Sequence, residues 1–305
     1  MTLGCAKRCI ANRGASIGAV IPRSRRFGRA GRLALIGMLA VSMGGSMPAW
    51  ASAAADSPSS AAPDRFDAVV LDAGHGGHDE GATGPSGLLE KDLVLDVTQR
   101  LATRLRKRGV HVVLTRTRDE FLSLEQRTAV ANDARADLFL SIHANAASTQ
   151  KPRGIETYFA SLDATDEAAR ATAERENSVF GAAAPDFGQD DPLAAILGDL
   201  IHTQHLQESS EFAKLAQSEL AGVARARSRG VKQAPFVVLM GVQMPASLVE
   251  IGFLTNPEDE KGLRGSSQRA AIAEALADAV MAFGDRYDAR RGVRRAARKI
   301  DVSSR

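Results

Sequence analysis

Three short stretches of this chain, with one isolated glutamate, carry residue types that can do chemistry together. In Asp72-Ala73-Gly74-His75-Gly76-Gly77 a histidine follows the apolar run 66–71 and enters a glycine-rich bend. Ser141-Ile142-His143-Ala144-Asn145 offers a second histidine, and Leu248-Val249-Glu250-Ile251-Gly252 a carboxylate, each closing another apolar run. Glu90 stands where a helix begins, a place where the helix dipole favours negative charge. Two imidazoles and one carboxylate make a usual hydrolytic zinc set, with a fourth position left for water. The ion acidifies that water and polarises a carbonyl. A further carboxylate must take the water's proton and hand it to a leaving nitrogen. Residue types alone leave open which of Glu90 and Glu250 is ligand and which is base. A phosphate cradle is the weaker reading of the glycine bend, because no Lys-Ser/Thr follows it.

Ligands in open α/β sheets bind beyond the carboxyl ends of strands, so strands must stand behind these residues. From residue 66 the hydrophobic pattern alternates between strand and helix periods. Strands are expected over 66–71, 111–116, 138–143, 154–160, 235–240 and 246–251. Helices are expected over 91–108, 124–135, 212–226 and 268–287. The first helix places Val94, Val97, Leu101 and Leu105 on one stripe, ends in basic residues and stops at Gly109. The last carries Ile272, Leu276, Val280, Phe283 and Tyr287. The expected fold is α/β: a single three-layer domain with a mixed, mostly parallel central sheet flanked by helices, plus a helical insert. That insert, about 161–206, opens with an alanine-rich helix over 165–180 capped by Thr165. It has little to bury and should be held weakly. A loop over 181–191 follows, then a better amphipathic helix opened by Pro192 with Leu193, Ile196, Leu197 and Leu200.

Composition limits the alternatives. Cys5 and Cys9 are the only cysteines, so any metal must be held by histidine and carboxylate. The formal net charge of +3 hides a strong division. Residues 1–51 hold eight basic residues and no acid, and 290–305 hold seven basic residues and one acid, so 52–289 carries a net −11. A core that acidic argues against nucleic acid as a partner. The basic start and the short apolar run from Leu33 read as a cleaved export signal over 1–51, with Ala49-Trp50-Ala51 as the cleavage site. An uncleaved signal anchor is the weaker reading. Ser24-Arg25-Arg26-Phe27 resembles a twin-arginine signal, and the general secretory route stays open. Residues 52–65 read as a disordered linker and 289–305 as a solvated basic tail, for which contact with anionic lipid or wall polymer is the minority reading.

The three stretches, with Glu90, Arg116, Arg127, Ala131-Asn132 and Phe253-Leu254-Thr255-Asn256, closely resemble the zinc-dependent N-acetylmuramoyl-L-alanine amidases of the type 3 family. The resemblance runs over about 66–287, nearly all of the expected catalytic domain, 66–288. It implies one zinc ion held by His75, Glu90 and His143, with Glu250 as the catalytic glutamate. It further implies hydrolysis of the amide between N-acetylmuramic acid and L-alanine of peptidoglycan; with the export signal, a periplasmic monomer is expected. Where the family usually has proline after the aspartate that follows its glycine pair, this chain has Asp79-Glu80. With Ala168-Ala169-Arg170, Arg175-Glu176-Asn177, Leu197–Leu200, Ser210 and Phe212-Ala213, the insert resembles the cell-division branch, in which a helix blocks the zinc site until an activator bearing a LytM-type domain displaces it. Glu176, or else Glu174 or Glu167, is the residue expected to cap the zinc; a solvent-facing charged helix is the bland alternative. Asp72 and Asn145 are candidates for contacts behind the ligands or to substrate, or for turn residues bonding their own backbone. His78, His111, His202 and His205 are expected to be structural or solvated. Two other functions fit the same fold: a catalytically inactive peptidoglycan-binding regulator, and a zinc peptidase acting on the stem peptide.

Overall fold

The computed structural model describes residues 65–178, 204–223 and 227–293. The export signal, nearly all the linker, the loop over 181–191, the helix opened by Pro192, His202 and most of the basic tail lie outside the described residues.

Six strands form one sheet: β1 (Ala68–Ala73), β2 (His111–Leu114), β3 (Leu138–Asn145), β4 (Ile155–Ala160), β5 (Ser228–Ala234) and β6 (Ala246–Phe253). Their order is β2-β1-β3-β6-β4-β5, and β4 runs antiparallel to β6 while every other pairing is parallel. β3 and β6 are buried along their whole lengths, which is why they read as near-continuous apolar runs. On one face, α1 (Glu90–Lys107), α4 (Gln204–Ala221) and α7 (Ser266–Arg290) pack their apolar stripes against Val69, Leu71, Leu140 and Val249. On the other, α2 (Leu124–Ala134), α3 (Glu167–Asn177) and α5 (Val237–Met240) cover Val70, Phe139, Tyr158 and Leu248. The expected three-layer architecture, a mixed and mostly parallel sheet between helices, is observed.

Local chemistry sets the helix starts. Ser123 and Gln126 form a reciprocal capping box ahead of α2. Asn256 accepts from the amides of Glu258 and Asp259 and, with Pro257 at the first position, starts the short helix α6 (Pro257–Leu263). Asp166, not Thr165, caps α3 by accepting from Ala169 N.

The expected strand over 235–240 is incorrect. The strand there is β5, seven residues earlier, and the apolar Val237–Met240 forms the helical turn α5. Val238, Leu239 and Met240 are buried from this helical turn, so the apolar run was misleading. Among the described residues β5 pairs only with β4, and it carries Arg229, Lys232 and Gln233, a charged edge with no apolar period. The helix expected over 212–226 begins at Gln204, and the closing helix runs three residues further, to Arg290.

Candidate metal centre

Strand register builds one side of the centre. His143 on β3 lies opposite Glu250 on β6, and Glu250 lies opposite Glu156 on β4. Paired residues share a face, so these three side chains stand in one row across the sheet. His75 approaches from beyond the end of β1 with φ of 57°, a left-handed conformation that costs a non-glycine residue about 1–2 kcal/mol. Two buried arginines hold that bend. Arg116 donates to the carbonyls of Ala73 (2.9 Å), Gly74 (2.8 Å) and Lys91 (2.8 Å). Arg127 donates to those of Ala73 (2.7 Å) and His75 (2.8 Å). Gly74 is needed for close approach, since a Cβ there would collide with the His143 ring.

Glu90 opens α1, and its two oxygens accept from Ala82 N and Ala144 N, both at 2.8 Å. The carboxylate therefore ties the helix start to the bend and to β3. His75 Nδ1 faces Asp79 Oδ2 at 2.9 Å, which leaves Nε2 as the inward nitrogen. Glu176, at the end of α3, enters from above.

Four N···O separations close the group. His75 Nε2 is 3.1 Å from Glu90 Oε1 and 3.2 Å from Glu176 Oε2. His143 Nδ1 is 3.2 Å and 3.0 Å from the same two atoms. Donors around a zinc-sized ion at about 2.0 Å stand roughly 3.3 Å apart, close to these spacings. His75 Nε2, His143 Nδ1 and Glu176 Oε2 are buried without a hydrogen-bond partner, so the atoms are adjacent but not aligned to bond one another. Two carboxylates also balance the charge of a divalent ion. The donor set fits a metal ion.

The electrostatics follow from burial and charge. Burial opposes a charge on His143, but the carboxylates of Glu176 and Glu90 outweigh it and raise the pKa to about 10. Burial likewise opposes a charge on His75, and Glu90, Asp79 and Glu176 hold its pKa far above the usual range. Glu90 is lowered to about 2, against burial, by the two histidines. Glu250 goes the other way: burial first, then the charge of Glu176, hold it well above the ordinary carboxylate range. Both its oxygens lack a hydrogen-bond partner.

The space over the group is only about 10 Å³, lined by Asp72, His75, Asp79, His143 and Glu176 among others. That is room for about one water and for no substrate. A cavity of about 360 Å³ near Gly154, Ile251 and Leu263 contains none of the four donors.

Other expected residues fall in different places. Glu174 and Glu167 are exposed, away from the donors. Asp72 lines the same small space and bonds no turn of its own; it accepts from Arg127 (2.8 Å), Thr115 (2.7 Å) and Ser141 (2.7 Å). Asn145 donates to Glu156 at 3.1 Å and accepts from Arg175 at 2.7 Å, again with no turn. His78 is exposed and stacks on Phe121 at 4.2 Å; His111 is exposed, and His205 lies on α4 3.8 Å from Glu208. Sequence reasoning passed over Asp79, Glu156 and Arg175. Asp79 was visible only as a loop change, and the other two gain meaning only from the folded contacts.

The model of the family described as N-acetylmuramoyl-L-alanine amidase matches residues 69–282. The chain is 37% identical over 224 residues to N-acetylmuramoyl-L-alanine amidase AmiA of Escherichia coli, covering 72% of this chain and 77% of that protein. It is 33% identical to AmiC of another strain of that species, covering 74% of this chain and 55% of that one. Among solved structures, the N-acetylmuramoyl-L-alanine amidase from Clostridium difficile 630 superposes with a TM-score of 0.56 at 29% identity, over 73% of this chain and 98% of that one.

Proposed function

The chain belongs to the N-acetylmuramoyl-L-alanine amidase family, and from that premise we propose a zinc-dependent peptidoglycan hydrolase kept closed by its own helix α3. It is an amide hydrolase acting on the cell wall. The finer reading gives each residue a role. His75, Glu90 and His143 would hold the ion, and Asp79 keeps His75 Nε2 turned inward. Zinc bound there would supply Lewis acidity to the amide carbonyl and to water. Glu250, beside His143 in the sheet, takes the proton of the attacking water and delivers it to the amide nitrogen. Its upward pKa shift suits a group that must both accept and donate a proton.

The observation that carries the closed state is Glu176 Oε2 at 3.2 Å and 3.0 Å from the two imidazole nitrogens. Catalytic zinc sites keep one position open, and closed sites are structural. A fourth protein donor therefore describes a resting state. α3 is suited to leave, because Ala169 and Ala173 are its only buried apolar side chains. In this reading the catalytic domain spans 66–288, the insert about 161–206 is regulatory, and 289–305 is a tail. An activator with a LytM-type domain lifts α3 as daughter cells separate. The protein works as a monomer in the periplasm after its signal is cleaved, with the twin-arginine or general secretory route as its export path.

Product analysis of the purified mature protein on sacculi tests this. Glycan strands freed of peptide, with release stopped by chelator and restored by zinc, are expected. Products cut within the stem peptide would mark a peptidase instead, and chelator-resistant release would overturn the metal mechanism. Absence of any release with an activator present would favour the inactive regulator, which the filled Glu250 position disfavours.

A further inference from the structure

The underside of α3 is seated on polar groups that the metal centre does not use. From the cap inward they form a continuous chain. Asp166 lies 3.1 Å from Lys232 Nζ, and Lys232 Nζ is 2.8 Å from Glu156 Oε1. Glu156 also accepts from Arg229 Nε (2.7 Å), Tyr158 OH (2.7 Å) and Asn145 Nδ2 (3.1 Å). Asn145 Oδ1 then accepts from Arg175, the residue before Glu176. Lys232 and Glu156 are almost fully buried, so this polar floor was built at a desolvation cost. One cation would balance Glu156; the floor has two, and the surplus faces Asp166.

Lifting α3 removes Asp166, Arg175 and Glu176 together. It leaves two cations against one carboxylate, an Asn145 side-chain oxygen without its Arg175 donor, and Glu250 directly opposite Glu156 on the neighbouring strand. We propose that this floor is the binding site for an acidic stem peptide. Lys232 and Arg229 take a peptide carboxylate where Asp166 sits, and Asn145 takes a peptide N–H where Arg175 sits. α3 is then a pseudosubstrate, matching the peptide at the cation pair and at Asn145. The proposal rests on α3 acting as a lid.

The test uses the mature chain carrying Glu176→Ala, with a soluble muropeptide bearing free stem carboxylates and its counterpart with those groups amidated. In the Glu176→Ala protein the carboxylate form should have the lower KM, by about tenfold. Adding Lys232→Gln should raise that KM about tenfold, leave kcat within about twofold, and change the amidated substrate little. Lys232→Arg should restore the preference. Equal KM for the two substrates in the Glu176→Ala protein overturns the subsite even if Lys232→Gln fails to fold, and so does an equal loss on both. Higher turnover of Glu176→Ala than of wild type, with no carboxylate preference, sinks the subsite and spares the lid. Unchanged turnover sinks the lid, and the proposal with it.

Discussion

Glu250 is a carboxylate with both oxygens buried and unpartnered, an arrangement that stability alone would not favour. Its cost makes sense if the oxygens meet water and substrate. Glu250→Gln should lower peptidoglycan release by about 100-fold or more while metal content, read by atomic absorption, stays that of wild type. Loss of metal in that variant would instead mark Glu250 as a ligand. Asp79 acts one bond further out. Asp79→Ala frees His75 to turn, so affinity for zinc in a chelator competition should fall by about 10- to 100-fold. Asp72 shares Arg127 with the carbonyl of His75. Burial opposes its charge, and Arg127 with Thr115 and Ser141 lowers its pKa nonetheless. A depressed carboxylate contributes stability above its unfolded pKa and loses it as pH falls through the folded value. The Asp72 contribution should therefore be complete at neutral pH and disappear only below about pH 4. Asp72→Asn leaves Arg127 less compensated and should cost about 3 kcal/mol in denaturant unfolding at pH 7.

At the scale of elements, the sheet gives precision and, in the proposed reading, α3 gives control. His143, Glu250 and Glu156 are spaced by backbone pairing, so none can move alone. α3 by contrast buries little and is seated through hydrogen bonds and ion pairs. A charge placed under it should tip the balance. Ala173→Asp, with its side chain fully buried against the second core, should raise basal hydrolysis on the order of tenfold, equivalent to about 1.4 kcal/mol of lost closure. Turnover equal to wild type in that variant would mean that α3 does not limit access. Elements with a clear period were legible in the sequence: β1, β3, β6, α1 and α7 come within a few residues of expectation. β5 was not, because an edge strand of Arg, Gly, Val, Lys and Gln offers neither alternation nor an apolar run.

For the whole molecule, charge and address belong together. The −11 stretch over 52–289 follows a strongly basic, acid-free start, the asymmetry on which the proposed export rests. Mass analysis of the periplasmic protein should find a mature chain beginning at Ser52. A full-length chain retained in the membrane would point to an uncleaved anchor. No described helix is long and apolar enough to cross a membrane.

The residue types by themselves pointed to a hydrolytic metal centre on an α/β sheet: two histidines, two glutamates and no cysteine outside the first few residues. Motifs at strand ends are legible because each lies within a few residues of the apolar run that positions it. What only the tertiary structure decided is the company those residues keep. Burial without hydrogen-bond partners, the register of His143 with Glu250 and Glu156, and the approach of Glu176 over Glu174 and Glu167 depend on residues tens of positions apart. So does the polar floor under α3, where Lys232, Glu156 and Asn145 meet across three strands. Local sequence encodes local period; long-range pairing sets which charges become neighbours, and that decides what a carboxylate can do.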